Sequence, residues 1–161
     1  MTVRSGREET VIALRRGLMV LILVLYSTAA FGETCESVVR GLNRKLSPKI
    51  NEQELVLVLK TLNRTGNRNL PEKFVTKRQA RTAGWRPGKN LWVFVALKGK
   101  SLGGDEFMNY ERQLPEGRWR EADLGYRGGR RGAKRLIFSS DGRRLVTVDH
   151  YRTFNEVPAC R

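Results

Sequence analysis

The spacing of apolar residues changes period near Lys100, and that change restricts the fold of this chain more than any other feature. Before it, apolar side chains recur at helical spacing. Residues 36–46 carry Val38, Val39, Leu42 and Leu46 on one stripe, and Leu55, Val58, Leu59 and Leu62 form a second. Ser47-Pro48 separates the two. Asn51 and Glu54 occupy the N-cap and N3 positions of a capping box, and residues 65–69 end the second helix in a loop. A further short helix is expected from Thr76 as its cap to a stop at Gly84, followed by a helical turn or two over 90–95. After Lys100 the runs 101–107, 118–124, 134–140, 144–149 and 153–157 alternate, divided by turn sequences such as Pro115-Glu116-Gly117, Gly128-Gly129 and Ser140-Asp141-Gly142. Helices first and strands afterwards predict an α+β domain, with N-terminal helices packed on a five-stranded antiparallel sheet. There is no internal repeat or low-complexity tract.

Residues 1–32 stand apart from this pattern. Arg15 and Arg16 precede an uncharged apolar run over 17–31, and Ala30-Phe31-Gly32 puts small residues where a signal peptidase reads. The run is shorter than the about 20 residues that span a bilayer. A signal peptide cleaved after Gly32 is therefore favoured over a retained anchor. Cleavage would remove four Arg and two Glu, taking the formal charge from +15 to +13 over 129 residues, a length that suits one domain. Cys35 and Cys160 lie at opposite ends of that domain. In an oxidising compartment an even pair reads as one disulfide, free or intermolecular thiols being the alternative. A loop of that size gains roughly 4 to 5 kcal/mol in the chain-entropy account. One histidine and two distant cysteines supply no zinc-type ligand set, and no cofactor is expected.

Strand alternation places the candidate chemistry. Over 119–124, Ala122 and Leu124 point to one face and Glu121 and Asp123 to the other. Leu136 and Phe138 oppose Arg135 and Ile137, while Val146 and Val148 extend the apolar face. Packing the apolar face on the helices leaves Glu121, Asp123 and Arg135 together on the open face, with Arg130 and Arg131 in the glycine-rich loop just before them. His150 enters from the end of the fourth strand as the only histidine in the chain. A carboxylate, an imidazole and surrounding cations form a coherent site for phosphodiester cleavage without a metal. The carboxylate takes a proton from the nucleophilic oxygen, the imidazolium gives one to the leaving oxygen, and the cations stabilise charge on phosphorus oxygens. The plainer alternative is a solvated ion pair on a strand, with His150 as a packed strand residue.

In order along the chain, Leu70-Pro71, Thr76-Lys77, Gly84-Trp85, Gly99-Lys100-Ser101, Gly103-Gly104-Asp105, Leu114-Pro115, Trp119-Arg120-Glu121-Ala122-Asp123, Tyr126, Ser139-Ser140-Asp141 and Asp149-His150-Tyr151, ending at Thr153-Phe154, resemble the barnase-like secreted, guanine-preferring bacterial ribonucleases. The resemblance covers about residues 70–154. It implies a microbial ribonuclease fold over 69–161, preceded by a helical extension and first core helix over 33–68. It also implies Glu121 as general base, His150 as general acid, Lys77, Arg131 and Arg135 around the scissile phosphate, and Tyr151 beside the histidine. The 2′-hydroxyl of RNA would attack phosphorus, and water would then open the 2′,3′-cyclic phosphate, so DNA would not be cut. Asp123 is expected to pair structurally with Arg131 and Arg135, and Gly103-Gly104 to mark a bulge or tight approach.

The base-reading loop departs from the family. Phe107, Asn109 and Glu111 are kept, but Met108 and Tyr110 stand where barnase carries serine and arginine. Glu111 still implies a guanine preference, and Tyr110 could stack on a base or cover the loop. Gly142 replaces a tryptophan, the turn from Pro115 to Trp119 is shorter, and the N-terminal helix and cysteine pair have no counterpart. The expected partners are RNA and, by analogy, an acidic barstar-like inhibitor. The chain is expected to be a secreted monomer. Two other classes compete: a non-catalytic basic module that binds RNA or another polyanion, and a structural envelope protein anchored by an uncleaved N-terminus.

Overall fold

Helix α1 (Cys35–Lys45) starts where Thr34 accepts a hydrogen bond from the Ser37 N–H, with Glu36 in its first turn and Arg44 and Lys45 in its last. The structure, a computed structural model, describes residues 32–161; apart from Gly32, the predicted signal peptide lies outside the described residues. Helix α2 (Glu52–Arg64) is capped by Asn51, whose side chain accepts from the Glu54 N–H at 2.8 Å. The other half of the expected capping box is diverted. The Glu54 carboxylate pairs with Lys73 through one oxygen and accepts from the Gly125 N–H at 2.6 Å through the other, so both oxygens are engaged away from the cap. Helix α3 (Lys77–Thr82) has a complete box between Thr76 and Gln79. It ends as its sequence predicts: Gly84 takes φ +93°, its N–H bonds Arg81 O, and the Trp85 N–H bonds Ala80 O. The residues expected to make one or two helical turns form two 3₁₀ turns, Leu91–Val93 and Val95–Leu97.

The sheet has six strands where five were expected: β1 (Phe74–Val75), β2 (Ser101–Phe107), β3 (Trp119–Asp123), β4 (Arg135–Ser139), β5 (Arg144–Thr147) and β6 (Asn155–Glu156), in that spatial order. The additional strand, β1, runs parallel to β2, and two residues are too few to show a period in sequence. All other pairings are antiparallel. Val38, Val39, Leu42, Leu55, Val58, Leu59 and Leu62 bury against Ala122, Leu136, Phe138 and Val146 on one face. Trp119 and Ile137 pack with Leu114 on the other. Gly103 lies at the bulge between β2 and β3 because no side chain fits there: a Cβ would stand 2.7 Å from the Phe74 ring and 3.0 Å from Ala122 Cβ.

Two features fix the C-terminal third. Cys35 and Cys160 form the expected disulfide, closing 125 residues, and the Cys35 N–H donates to Arg161 O beside it. After β5 the chain folds over Asp149. That carboxylate accepts from Thr147 Oγ1, from the backbone N–H groups of Arg152 and Thr153, and from Thr153 Oγ1 at 2.6 Å. The Tyr151 N–H donates to Thr147 Oγ1 at 3.0 Å and the His150 N–H to Ala133 O at 3.3 Å. This framework holds two successive non-glycine residues, His150 and Tyr151, at φ +63° and +71°.

Replacing both cysteines by serine should lower unfolding free energy by about 2–5 kcal/mol, read from urea denaturation, while the folded circular dichroism is kept. Hydrogen bonds from the Thr153 hydroxyl, first, and from backbone N–H groups hold the Asp149 carboxyl at about 2, against an ordinary 3.8. The stabilisation is therefore complete above pH 3.8 and lost as pH falls through about 2. Asp149→Asn should flatten the acid fall in stability across that window, measured by denaturant titrations at stepped pH.

Candidate active site

Trp119, Glu121 and Asp123 project from β3 on the face turned away from α1 and α2, as alternation predicts. That face is not open. Glu121 is 7% exposed, and Asp123 and Arg135 are buried, because Tyr151, Phe107 and Phe154 pack across it and Lys77 reaches over from α3. Phe107 stacks on Tyr151 with ring centroids 5.2 Å apart.

Glu121 sits at the centre of these contacts. Its Oε1 accepts from Lys77 Nζ at 2.8 Å and its Oε2 from the Tyr151 hydroxyl at 2.5 Å. Burial pushes its carboxyl up, but the hydrogen bonds from Lys77 and Tyr151, with the charges of Lys77 and Arg135, outweigh burial and leave it below its ordinary value. Burial and the same bond to Glu121 push the Tyr151 phenol well up, so it remains a donor. Lys77 is itself held by its backbone, whose N–H donates to Asp105 Oδ2 at 2.8 Å.

Asp123 pairs with both arginines, as the sequence predicts. Arg131 donates Nε–H and Nη2–H to its two oxygens at 2.6 and 2.7 Å, and that bond raises the Arg131 pKa further. Arg135 Nε lies 2.9 Å from Asp123 Oδ1, an ion pair by distance whose N–H is not aligned for a hydrogen bond. The Arg135 Nη1 donors go to Gly132 O and Lys134 O, and its guanidinium lies 5.9 Å from the Tyr151 ring centroid.

A cleft of about 290 Å³ opens beside Glu121. Lys77, Glu121 and Tyr151 line it, together with Phe107, Asn109, Tyr110 and Glu111 of the loop after β2. Seven of the ten predicted catalytic and substrate-binding residues thus share one cavity. Arg131 and Arg135 stand behind it through Asp123. His150 is exposed and does not line it; its ring lies 5.2 Å from that of Tyr151, whose hydroxyl meets Glu121. Within the loop, both ends of the Asn109 amide are bonded to the Leu114 backbone, at 2.7 and 3.1 Å, so Asn109 shapes the turn. Glu111 accepts from Gln113, and Tyr110 is 84% exposed at the rim.

Asp105, Thr147 and Asp149 position the site although no catalytic pattern in the sequence marks them. The one available cue was the Thr/Asp pair two residues apart before His150, a turn-forming spacing. Chemically, the arrangement offers an ionised carboxylate fixed beside cations in a cleft, and an exposed imidazole next to the Tyr151 ring, groups of the kind that move protons.

A family model described as ribonuclease matches residues 59–158. Proteins named ribonuclease from Bacillus intermedius and Bacillus pumilus are each 47% identical over 93 residues, covering 56% of this chain and 57% of theirs. One from Heyndrickxia coagulans is 47% identical over 93 residues, covering 84% of its length. The chain thus spans little more than half the length of the two Bacillus relatives. With the family match covering most of the sequence, and the predicted residues gathered around Glu121, the chain belongs to the barnase-like microbial ribonuclease family.

Proposed function

We propose that this chain is a secreted, metal-independent endoribonuclease that cuts single-stranded RNA, with a preference for guanine. In this reading Glu121 removes the proton from the ribose 2′-hydroxyl as that oxygen attacks phosphorus. His150 donates a proton to the departing 5′-oxygen, leaving a 2′,3′-cyclic phosphate. In the second step His150 takes a proton from water, whose oxygen attacks phosphorus, and Glu121 returns its proton to the 2′-oxygen. Both groups end as they began. Lys77, Arg131 and Arg135 carry the charge that builds on the phosphorus oxygens, and Phe107, Tyr110, Glu111 and Tyr151 receive the base, with Asn109 bracing their loop.

The observation that carries the reading is the Glu121 carboxylate, ionised and cornered by Lys77 and Tyr151 against a cleft whose far wall is the loop after β2. A lysine ammonium has three donors, so Lys77 can hold Glu121 and still reach a phosphate oxygen. The disulfide favours an oxidising compartment, in keeping with export. An acidic inhibitor protein drawn by the chain's net positive charge would restrain the enzyme before export, and a host that tolerates the active chain without one would count against that part.

Glu121→Ala or His150→Ala should lower kcat/KM for RNA by about 10²- to 10⁴-fold with the fold retained, while EDTA leaves the wild type unchanged. Full activity in either variant would sink the mechanism, and salt-sensitive RNA retention without any cleavage by the wild type would favour the binding-module reading. Because Glu121 is depressed, the acid limb of the kcat/KM profile should fall below 4.5, its ordinary value. Tyr151→Phe and Lys77→Ala each remove an interaction that lowers it, so both should move that limb to higher pH, seen by initial rates across an acid series.

A further inference from the structure

Residues 91–97 form a ridge with two unlike sides. Their 3₁₀ turns repeat every three residues, which turns Leu91, Phe94 and Leu97 inward. Leu91 and Leu97 are buried, and Phe94 packs over Gly84. Trp92 pins the ridge from beneath: its Nε1–H donates to Lys100 O at 2.8 Å, and its ring stands edge-on to Tyr126 at 5.7 Å. The inward contacts are met without Val93 and Val95, which are left 67% and 92% exposed. Neither lines the cleft, and neither adds appreciable burial to the core.

The two chain segments that build the ridge and its flank are one-sided in charge, although Glu54 also lines the hollow beside Trp92. Residues 73–104 hold eight Lys and Arg and no Asp or Glu, and residues 124–140 hold five and none. Four of these thirteen cations pair with acids outside the two segments: Lys73 with Glu54, Lys77 with Glu121, and Arg131 and Arg135 with Asp123. The two segments meet at the ridge. A Cβ on Gly128 would lie 3.0 Å from the Trp92 ring, Trp92 and Arg127 line one hollow, and Lys89 shares another with Arg130 and Arg131. Lys89, Lys98 and Arg127 are all exposed.

We propose that this ridge docks on membranes rich in anionic lipid, with Val93 and Val95 entering the interface and Lys89, Lys98 and Arg127 meeting headgroup phosphates. Aliphatic side chains ringed by cations match a surface whose anionic layer covers an apolar phase. RNA offers phosphates and flat bases but no apolar phase, and stacking uses rings where the ridge presents valines.

Since Cys35 and Cys160 bond to each other and there is no free cysteine among the described residues, one added thiol can be labelled selectively. The full chain carrying an environment-sensitive fluorophore at Val95→Cys would be mixed with phosphatidylglycerol–phosphatidylcholine vesicles, and separately with phosphatidylcholine vesicles. A probe at Leu57→Cys on α2 reports any tethering through other parts of the chain. The expected result is a blue shift, with quenching by nitroxide-labelled lipid, at position 95 only and with anionic vesicles only. Lys98→Glu combined with Arg127→Glu should raise the lipid concentration for the half-maximal shift by on the order of tenfold or more. No shift at 95, equal shifts at 95 and 57, or an equal response to phosphatidylcholine would overturn the proposal. So would a probe at 95 that answers to a 2′-deoxy oligonucleotide, in place of RNA, but not to vesicles.

Discussion

The site depends on Asp123, a buried carboxylate on β3 that holds two guanidiniums at once. Its register partner on β4 is Arg135, and it draws Arg131 in from the glycine-rich loop with two aligned hydrogen bonds. Removing one member of such a buried pair typically costs about 3–5 kcal/mol, since the charge left behind is neither solvated nor matched. Here that loss would fall on the two arginines that Asp123 holds from its place two positions along β3 from Glu121. With Asp123 in place, Glu121, Asp123, Lys77, Arg131 and Arg135 together carry a single positive charge. That suits a phosphodiester, which brings one negative charge and develops more as the new bond forms. Without it, Glu121, whose charge Arg131 and Arg135 already feel, would be the carboxylate left to them, and the proposed mechanism uses it as base.

The depressed carboxyl of Glu121 sets a second constraint. An ionised base is available across the neutral range, but the interactions that keep it ionised also make it weaker. In the proposed mechanism the two partners of Glu121 differ: Lys77 can be drawn off by a substrate phosphate, while Tyr151 stays fixed. Lys77 is half-exposed on a six-residue helix, and Tyr151 sits on a turn held by hydrogen bonds to Thr147 and Asp149. A substrate phosphate that draws Lys77 toward itself would raise the proton affinity of Glu121 as the 2′-hydroxyl arrives.

Much of this was legible in sequence where a period or a local turn rule applies. The apolar stripes of α1 and α2, the stop at Gly84 and the two faces of β3 follow directly from spacing. Asp123 was readable for the same reason, since alternation places it beside Arg135. What escaped is non-periodic. The Arg144 guanidinium is buried without an acid, bonded instead to Asn67 and Asn63, and burial pulls its pKa down. Asn67 looked like a loop residue, yet it is buried with its amide on Ser139 O, joining positions 72 residues apart. The left-handed pair at His150 and Tyr151 escaped because neither is glycine, and only the surrounding hydrogen bonds make that backbone tolerable. Glu54 reads as a capping residue until Lys73 and Gly125 come within reach.

The fold and the chemistry meet most directly at Gly103. Its missing side chain lets β2 close on Phe74, Leu70 and Ala122, each of which would clash with a Cβ. That approach sets the bulge after which Asp105 lies opposite Glu121. From there Asp105 accepts the backbone N–H of Lys77, fixing the first residue of α3, and the Lys77 side chain returns across the face to Glu121. In the proposed mechanism, a side chain at 103 would therefore act on catalysis without touching substrate. By pushing β2 away from β3 it would first loosen Asp105, then Lys77, and only then the carboxylate whose charge Lys77 maintains.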